Sequence, residues 1–391
     1  MNKRLKLSAH QMFFFMSTVA FSFNVILMQS KGFSNTTIGI ILAINAIVSI
    51  VMQPVWGFVC DWIQSVRKVF VFCTILTCIS YCSLAFFSSV TAFTIIFPIS
   101  TIFSCVLITL VNAACLVGIE QTNITFGSVR IWGSIGYAGM SFLIGHLLRL
   151  NYSINIIFPV YAIFAVASIT LSFFIEDTAP RAKASSFKEM NLGVLFKNYH
   201  FITCMACICI CYIPISATFS YAVNVFEALG GSKGIAGTIF AMRALAEVPF
   251  FIVSAPLIRR FGARNILIFS LFIFAGSILT FGFATNINVA LVANVLEGPA
   301  YGLLLPSAIY YIYDLSPLNL RTTAQTVLTT VQKGVGSMVG NFVAGLLIDL
   351  SGPAAAFRFL SIIMLAGIVF FLLSLYFGKK RNITAGGMEA E

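Results

Sequence analysis

The sequence predicts an all-α integral membrane protein with twelve transmembrane helices in two pseudo-symmetric six-helix bundles. Three observations carry this prediction. Of the 391 residues, 59% are hydrophobic and only 9% are charged; twelve apolar stretches are each long enough to span a bilayer; and one polar segment divides them in the middle. Because an average soluble domain is about 25% charged, this composition excludes a water-soluble enzyme, a nucleic-acid binder and a disordered scaffold.

Polar and turn-forming clusters separate the predicted spans, each of which needs about 20 mostly apolar residues. The spans cover residues 11–29, 37–58, 69–87, 92–114, 130–149, 154–175, 199–225, 235–257, 266–284, 287–313, 322–348 and 355–377. The first span follows Lys3, Arg4 and Lys6 in the manner of a signal peptide. Since no small-residue cleavage pattern follows it clearly, we expect it to be retained.

Basic residues predict the orientation, because Lys and Arg in short loops stay on the cytoplasmic side. An even number of spans puts both termini on one side. That side holds sixteen of the 23 basic residues and the opposite side only four, the other three lying inside spans. We therefore expect a multi-pass protein of the cell membrane with both termini in the cytoplasm, and the net charge of +11 is not a nucleic-acid footprint.

The longest polar stretch lies at the middle of the chain and predicts a cytoplasmic linker. We expect an N-terminal bundle over residues 1–178, the linker over 179–198, and a C-terminal bundle with a short cytoplasmic tail over 199–391. At an offset of 198 residues, Phe21–Val25 aligns with Phe219–Val223, and the next span matches at the same offset. Internal duplication is the favoured interpretation.

The 10 cysteines lie almost all inside apolar runs, where a free thiol behaves as a small hydrophobe. The densest group is Cys204, Cys207, Cys209 and Cys211. Histidine and carboxylate ligands are not interleaved with it, so we expect packing and no metal site.

Five ionisable residues fall within apolar spans: Arg130, Arg243, Glu247, Glu297 and Lys333. A charged side chain at the bilayer centre costs about 2.5–3.5 kcal/mol on insertion scales, so each is a functional hypothesis. Glu297 is followed by Gly298 and Pro299, which loosen the helix. A carboxyl group in such a place can exchange a proton, and the alternative is a structural partner for a nearby cation.

The other ionisable residues each allow two interpretations. Glu247 lies four residues after Arg243, so it either binds solute hydroxyls or pairs with that arginine. Arg130, Trp132 and Tyr137 offer donors and flat rings that suit a polyhydroxylated ring, while Gly133, Gly136 and Gly139 allow close helix approach; the alternative is that Arg130 snorkels to the interface. For Lys333 the favoured interpretation is that its side chain forms a buried ion pair.

These residues resemble the major facilitator superfamily, and within it the lactose permease family of oligosaccharide:proton symporters. The resemblance covers essentially the whole chain, and Phe126–Tyr137 on the fifth span is its most specific part. It implies that Arg130 contacts a sugar, that Tyr137 replaces a stacking tryptophan, that Glu247 is a substrate carboxylate, that Glu297 carries the proton and that Lys333 belongs to a charge pair. The loop residues Asp61, Arg67 and Lys68 would form the cytoplasmic gate.

Three departures from that family's pattern concern the solute and the proton site. Asn112 stands where lactose permease has a substrate-binding glutamate, and Asn294 and Phe274 stand where it has a histidine and an arginine. The loop motif also lacks its second glycine, with Gln64 nearby.

We therefore predict proton-coupled uptake of a sugar, glycoside or similar small polar solute by alternating access. Protons and the lipid bilayer are the expected partners, a monomer is the expected state, and no cofactor or metal is expected. The alternative is a proton-driven multidrug or metabolite exporter of the same fold. A receptor would carry an added signalling domain, and an enzyme is disfavoured because the sequence has no Ser/His/Asp set, metal cluster or phosphate loop.

Overall fold

The computed structural model describes residues 3–119, 126–177, 192–232, 234–317 and 320–380. Within these ranges the chain forms helices joined by short turns, and no β-strand occurs among the described residues. Eleven helical segments of this described part are long and apolar enough to cross a membrane. The last of them, Thr323–Lys380, holds two spans, because Gly352 at φ +78° interrupts its helix. This agrees with the twelve predicted spans.

The helices before the predicted linker are α1 (Lys3–Ser22), α2 (Asn24–Ser30), α3 (Asn35–Ile63), α4 (Val66–Ser83), α5 (Val90–Ser104), α6 (Leu107–Ile119), α7 (Phe126–Arg149) and α8 (Ile157–Ser172). The helices after it are α9 (Leu192–Lys197), α10 (Tyr199–Ala228), α11 (Ile235–Phe261), α12 (Ala263–Gly282), α13 (Ile287–Asp314), α14 (Arg321–Thr329) and α15 (Ser337–Lys380). The predicted linker itself lies mostly at residues 178–191, outside the described residues.

Several spans consist of more than one helical piece. The first is α1 followed by α2, with a break at Phe23, and the fourth is α5 followed by α6. Between α14 and α15, Thr330–Gly336 form a π-helix, whose wider turn was not predicted from the sequence. Pro54, Pro214 and Pro299 lie inside helices, which membrane helices tolerate better than soluble ones do.

Several of the helices have a serine or asparagine as N-cap residue. Ser34, Ser65 and Ser89 accept hydrogen bonds from backbone amides three residues later, at 3.1–3.2 Å. Asn198 and Asn286 do the same for α10 and α13. Each cap satisfies an amide that the first helical turn leaves unpaired, so the polar clusters that separate the predicted spans also fix where the helices begin.

The chain divides into two compact units, one of Met1–Ala184 with Gly231–Leu245 and one of Ser185–Gly230 with Ala246–Glu391. The first part of α11 belongs to the first unit because it packs closely on α7: a Cβ added to Gly237 would lie 2.6 Å from the Gly145 Cα. Arg149 on α7 also donates to Thr238 Oγ1 at 2.9 Å. The extents of the two predicted bundles stay a prediction.

Candidate functional site

One face of α7 holds the predicted solute-binding arginine and tyrosine. Arg130, Ser134 and Tyr137 lie four and three residues apart, a spacing that places them on one side of a helix. The Arg130 guanidinium carbon lies 3.8 Å from the centroid of the Phe15 ring on α1, and Arg130 Nη1 donates to Ser134 Oγ at 3.4 Å. The Tyr137 hydroxyl shares a 2.6 Å hydrogen bond with Ser22 Oγ. This face of α7 is therefore joined to α1 at both ends.

Glycines explain how close α7 comes to α1. A Cβ at Gly133 would lie 2.7 Å from Phe15 Cδ2, and one at Gly136 would lie 2.8 Å from the Met12 carbonyl oxygen. Both are shorter than any ordinary contact, so only glycine fits without a shift. Gly139 has open space around it, and the expectation that it takes part in the close approach is wrong, because it lies on the outer side of the helix.

Asn112 lies beside the same part of α1. Gln11 is fully buried, and its Nε2 donates to Asn112 Oδ1 at 3.4 Å and to the Val111 carbonyl at 3.5 Å. Gln11 and Phe15 are one helical turn apart, so they share a face of α1. The sequence argument missed Gln11, although a glutamine just before an apolar run was available as a signal.

Trp132 is not part of this group. It follows Arg130 by two residues, about 200° around the helix, and it is 43% exposed. Ile135 and Phe142, which continue its stripe, are exposed as well. Trp132 thus lies on an exposed face of α7, on the side opposite Arg130, and its contact with the solute stays a prediction.

In the second unit, Glu247 lies where α11 and α13 touch. A Cβ at Gly298 would be 2.5 Å from Ala246 Cβ, and one at Gly302 would be 2.8 Å from the Glu247 carbonyl oxygen. The two glycines of α13, four residues apart, thus allow the backbone of α11 to approach α13 closely.

Glu297 and Asn294 lie three residues apart on α13, and both have no exposed surface. Phe274 on α12 is equally buried, in an aromatic group in which the Phe219 ring lies 6.4 Å from Phe274 and 5.4 Å from Tyr301. Ser277 Oγ donates to the Ala293 carbonyl at 2.8 Å, which ties α12 to α13. Glu297 is therefore completely buried on a helix that packs against α12.

Two of the other ionisable residues lie elsewhere. Lys333 lies in the π-helix, and it forms no ion pair with any residue that the structure describes. The buried ion pair of Lys333 stays a prediction. Arg243 lies 5.7 Å from the Phe240 ring, and its pairing with Glu247 stays a prediction.

The predicted gating loop is anchored to the end of α8. Asp177 Oδ2 accepts from Ser65 Oγ at 2.6 Å, and Oδ1 accepts from the Arg67 backbone amide at 3.1 Å. The Arg67 side chain donates to the Ile175 carbonyl and lies 5.8 Å from the Phe173 ring. An aspartate remote in sequence thus caps the N-terminus of α4, which the sequence argument did not foresee.

The rest of the gating loop is less constrained. Asp61 is half-buried and Lys68 is exposed. Gln64, which ends α3, has φ +54°, the left-handed conformation that favours glycine. Gln64 therefore adopts the backbone conformation for which glycine is best suited, close to the place where the loop motif lacks its second glycine.

The predicted cysteine group lies on α10, where Cys204, Cys207 and Cys211 are buried. The Cys207 and Cys211 sulfurs are 3.9 Å apart. Within the described ranges, no cluster of histidine, cysteine and carboxylate side chains could hold a metal ion.

Comparisons with known proteins agree with this architecture. A profile of the MFS_1 like family matches residues 4–359. The uncharacterized transporter YwbF of Bacillus subtilis (strain 168) is 25% identical over 360 residues, which cover 90% of this chain and 87% of that protein. Maltose permease of Geobacillus stearothermophilus is 24% identical over 380 residues, which cover 96% of this chain and 95% of that protein.

Among solved structures, a point mutant of the nucleoside transporter NupG superimposes with a TM-score of 0.84. The match covers 95% of this chain and all of that chain, at 15% sequence identity. At this identity the likeness concerns the fold alone, and it confirms the twelve-helix fold that the sequence predicts.

Proposed function

The chain belongs to the MFS_1 like family, within the major facilitator superfamily, and from this membership we propose that it takes up a sugar, glycoside or similar small polar solute together with protons. It is a multi-pass membrane protein of a family of transporters, and we propose that it has no catalytic activity of its own. Transport proceeds by alternating access, in which the solute site opens to one side of the membrane at a time.

The observation that carries this proposal is the Arg130 guanidinium 3.8 Å from the Phe15 ring, on the same face of α7 as Tyr137. A guanidinium held by a ring presents fixed donors, and hydroxyl groups of a sugar are good acceptors for them. Tyr137 adds a flat ring of the kind that packs on a sugar face, as its place in the family resemblance implies. The similarity to maltose permease supports the same solute class.

Glu297 is the proposed proton carrier. Its complete burial on α13 makes a charged carboxyl group costly at this place. We propose that Glu297 carries a proton whenever the solute is bound, so that the two are transported together. The proton is the only coupling ion that we propose, and no cofactor takes part. Asn294, one turn away on the same helix, is a proposed solute-binding residue, as are Asn112 and Glu247.

The test is solute-induced alkalinisation of weakly buffered, de-energised cells that express the protein, screened over sugars, glycosides and nucleosides. We expect one solute class to raise the external pH. Glu297→Gln should abolish proton-driven accumulation while solute counterflow persists, and Arg130→Lys should weaken both by reducing solute affinity. Glu176→Gln is the matched control, because Glu176 is an exposed carboxylate paired with Lys3 at 3.1 Å.

Two results would contradict the proposal. If Glu297→Gln accumulates solute as the wild type does, the proton role of Glu297 is wrong. If no solute in the panel is transported by a correctly expressed protein while extrusion of apolar cations is observed, the exporter alternative replaces uptake.

We also propose that both termini lie in the cytoplasm and that the protein acts as a monomer. The excess of basic residues in the loops on that side supports the orientation. Reporter fusions after Lys380 should be active only with a reporter that requires the cytoplasm, and the purified protein should have the mass of one chain after correction for detergent.

A further inference from the structure

Each unit contains a hydrogen bond between a serine on its first span and a polar side chain on its fifth span. In the first unit, Ser22 on α1 shares a 2.6 Å hydrogen bond with the Tyr137 hydroxyl on α7. In the second unit, Ser220 on α10 donates to Asn341 Oδ1 on α15 at 2.7 Å. Ser22 and Ser220 are separated by the 198-residue offset of the internal repeat, and both bonds join the first span of a half to the fifth.

The glycine before each partner residue strengthens the correspondence. Gly136 precedes Tyr137 and Gly340 precedes Asn341, and these two dipeptides are 204 residues apart, six more than the two serines. A Cβ at Gly136 would lie 2.8 Å from the Met12 carbonyl oxygen, and one at Gly340 would lie 2.2 Å from the Ile213 carbonyl oxygen. Both units therefore combine a close backbone approach with a polar bond at the next residue.

We propose that Ser220 and Asn341 are solute-binding residues, the counterparts in the second unit of Ser22 and Tyr137. The inference rests on the proposed function and deepens it, because it assigns two residues to hydroxyl groups of the transported solute. Neither residue was singled out from the sequence, and their positions in the internal repeat now give them a role.

The chemistry of the pair suits a hydroxylated solute. Asn341 Oδ1 is engaged by Ser220, which leaves the amide nitrogen with two donor hydrogens. That nitrogen makes no hydrogen bond with the described residues and is not among their enclosed polar atoms. Ser220 is only half-buried, and its oxygen can still accept. A donor and an acceptor side by side match neighbouring hydroxyl groups, each of which donates and accepts.

The competing interpretation is that the Ser220–Asn341 bond only holds α10 against α15. A structural bond would affect stability without distinguishing one solute from another. Ser277 supplies the matched control, because its hydroxyl donates to the Ala293 carbonyl at 2.8 Å and is completely buried in the same unit.

The experiment measures transport of a solute identified by the alkalinisation screen and of its mono-deoxy analogues. We expect Asn341→Ala and Ser220→Ala to raise KM for the parent solute about three- to tenfold, the size of one lost neutral hydrogen bond. For one deoxy analogue the two variants should equal the wild type, since the partner hydroxyl is already absent. Ser220→Thr keeps the hydroxyl and should restore the wild-type KM.

The outcomes separate the two proposals. If Ser220→Ala and Asn341→Ala change KM no more than Ser277→Ala does, or raise it equally for all analogues, the inference fails while the proposed function stands. If the wild type transports no solute of the panel, the proposed function fails first. If Asn341→Ala does not reach the membrane, Ser220→Ala decides alone, because it removes a single oxygen atom.

Discussion

Replacing Gly237 by alanine should separate the first part of α11 from α7. The new Cβ would lie 2.2 Å from the Ser141 carbonyl oxygen and 2.6 Å from the Gly145 Cα, whereas ordinary contacts begin at 3.4 Å. The obstructing atoms belong to the backbone and cannot rotate away. One helix must therefore move by roughly 1 Å, a shift that close-packed helices resist.

The expected free-energy change combines two opposing terms. Alanine stabilises a helix by about 1 kcal/mol relative to glycine, while overpacking a close contact typically costs about 1–3 kcal/mol. Since the short contacts all involve fixed atoms, we expect the upper end of that range and a net loss of about 2 kcal/mol. This corresponds to an approximately 30-fold shift away from conformations that keep the α7–α11 contact.

The assay uses the protection of Ser141, which has no exposed surface. In a Ser141→Cys protein, a maleimide reaches the new thiol only when the contact opens, so its modification rate follows the open population. Adding Gly237→Ala should accelerate modification by up to about 30-fold. Gly139→Ala is the control: Gly139 lies on α7, as Ser141 does, and nothing lies within 4 Å of the position of an added Cβ. This change should leave the modification rate unchanged. A rate for the Gly237→Ala protein within twofold of its parent would refute the reasoning.

Three further predictions follow from the site and its surroundings. Gln64→Gly should raise the unfolding temperature of the purified protein by about 2 °C, because it relieves a left-handed conformation at φ +54°; a lower temperature would show that the Gln64 bond to the Asp61 carbonyl outweighs that conformation. Asp177→Ala should destabilise the protein by about 1–2 kcal/mol, since it removes the acceptor of the Arg67 amide and leaves Ser65 as the remaining cap of α4. Glu176→Ala at an exposed ion pair should change stability little in the same thermal assay. Phe15→Ala should weaken solute binding several-fold by freeing the Arg130 guanidinium, and an unchanged binding isotherm, with Phe13→Ala as control, would exclude that role of the ring.

The spans could be predicted from the sequence because their signal is a sum over about 20 residues. All twelve predicted spans correspond to helical segments of the structure, with the first starting earlier, at Lys3. The glycines at 133 and 136 also predicted the close approach of α7 to its neighbour. Such features depend on composition and local spacing, which the sequence displays directly.

The features that the sequence argument missed depend on tertiary contacts and on irregular helix geometry. The π-helix at Thr330–Gly336 departs from the α-helical period, and its sequence carries no signal for that departure. Trp132 was grouped with Arg130 by proximity in sequence, although two residues on a helix point to nearly opposite sides. Asp177 accepts a hydrogen bond from the first turn of α4, more than a hundred residues earlier in the chain. A local sequence pattern cannot predict a contact between residues that far apart.

The outward position of Trp132 gives the protein an optical property. The sequence contains 3 tryptophans, Trp56, Trp62 and Trp132, and all of them belong to the first unit. Tryptophan fluorescence, excited selectively over tyrosine, therefore reports on that unit and not on the second. Trp56 is buried and donates to the Ile102 carbonyl at 2.6 Å, so it emits from a fixed environment. With Trp56 and Trp62 replaced by phenylalanine, Trp132 becomes a single native probe on the side of α7 opposite Arg130, where its emission senses movement of that helix.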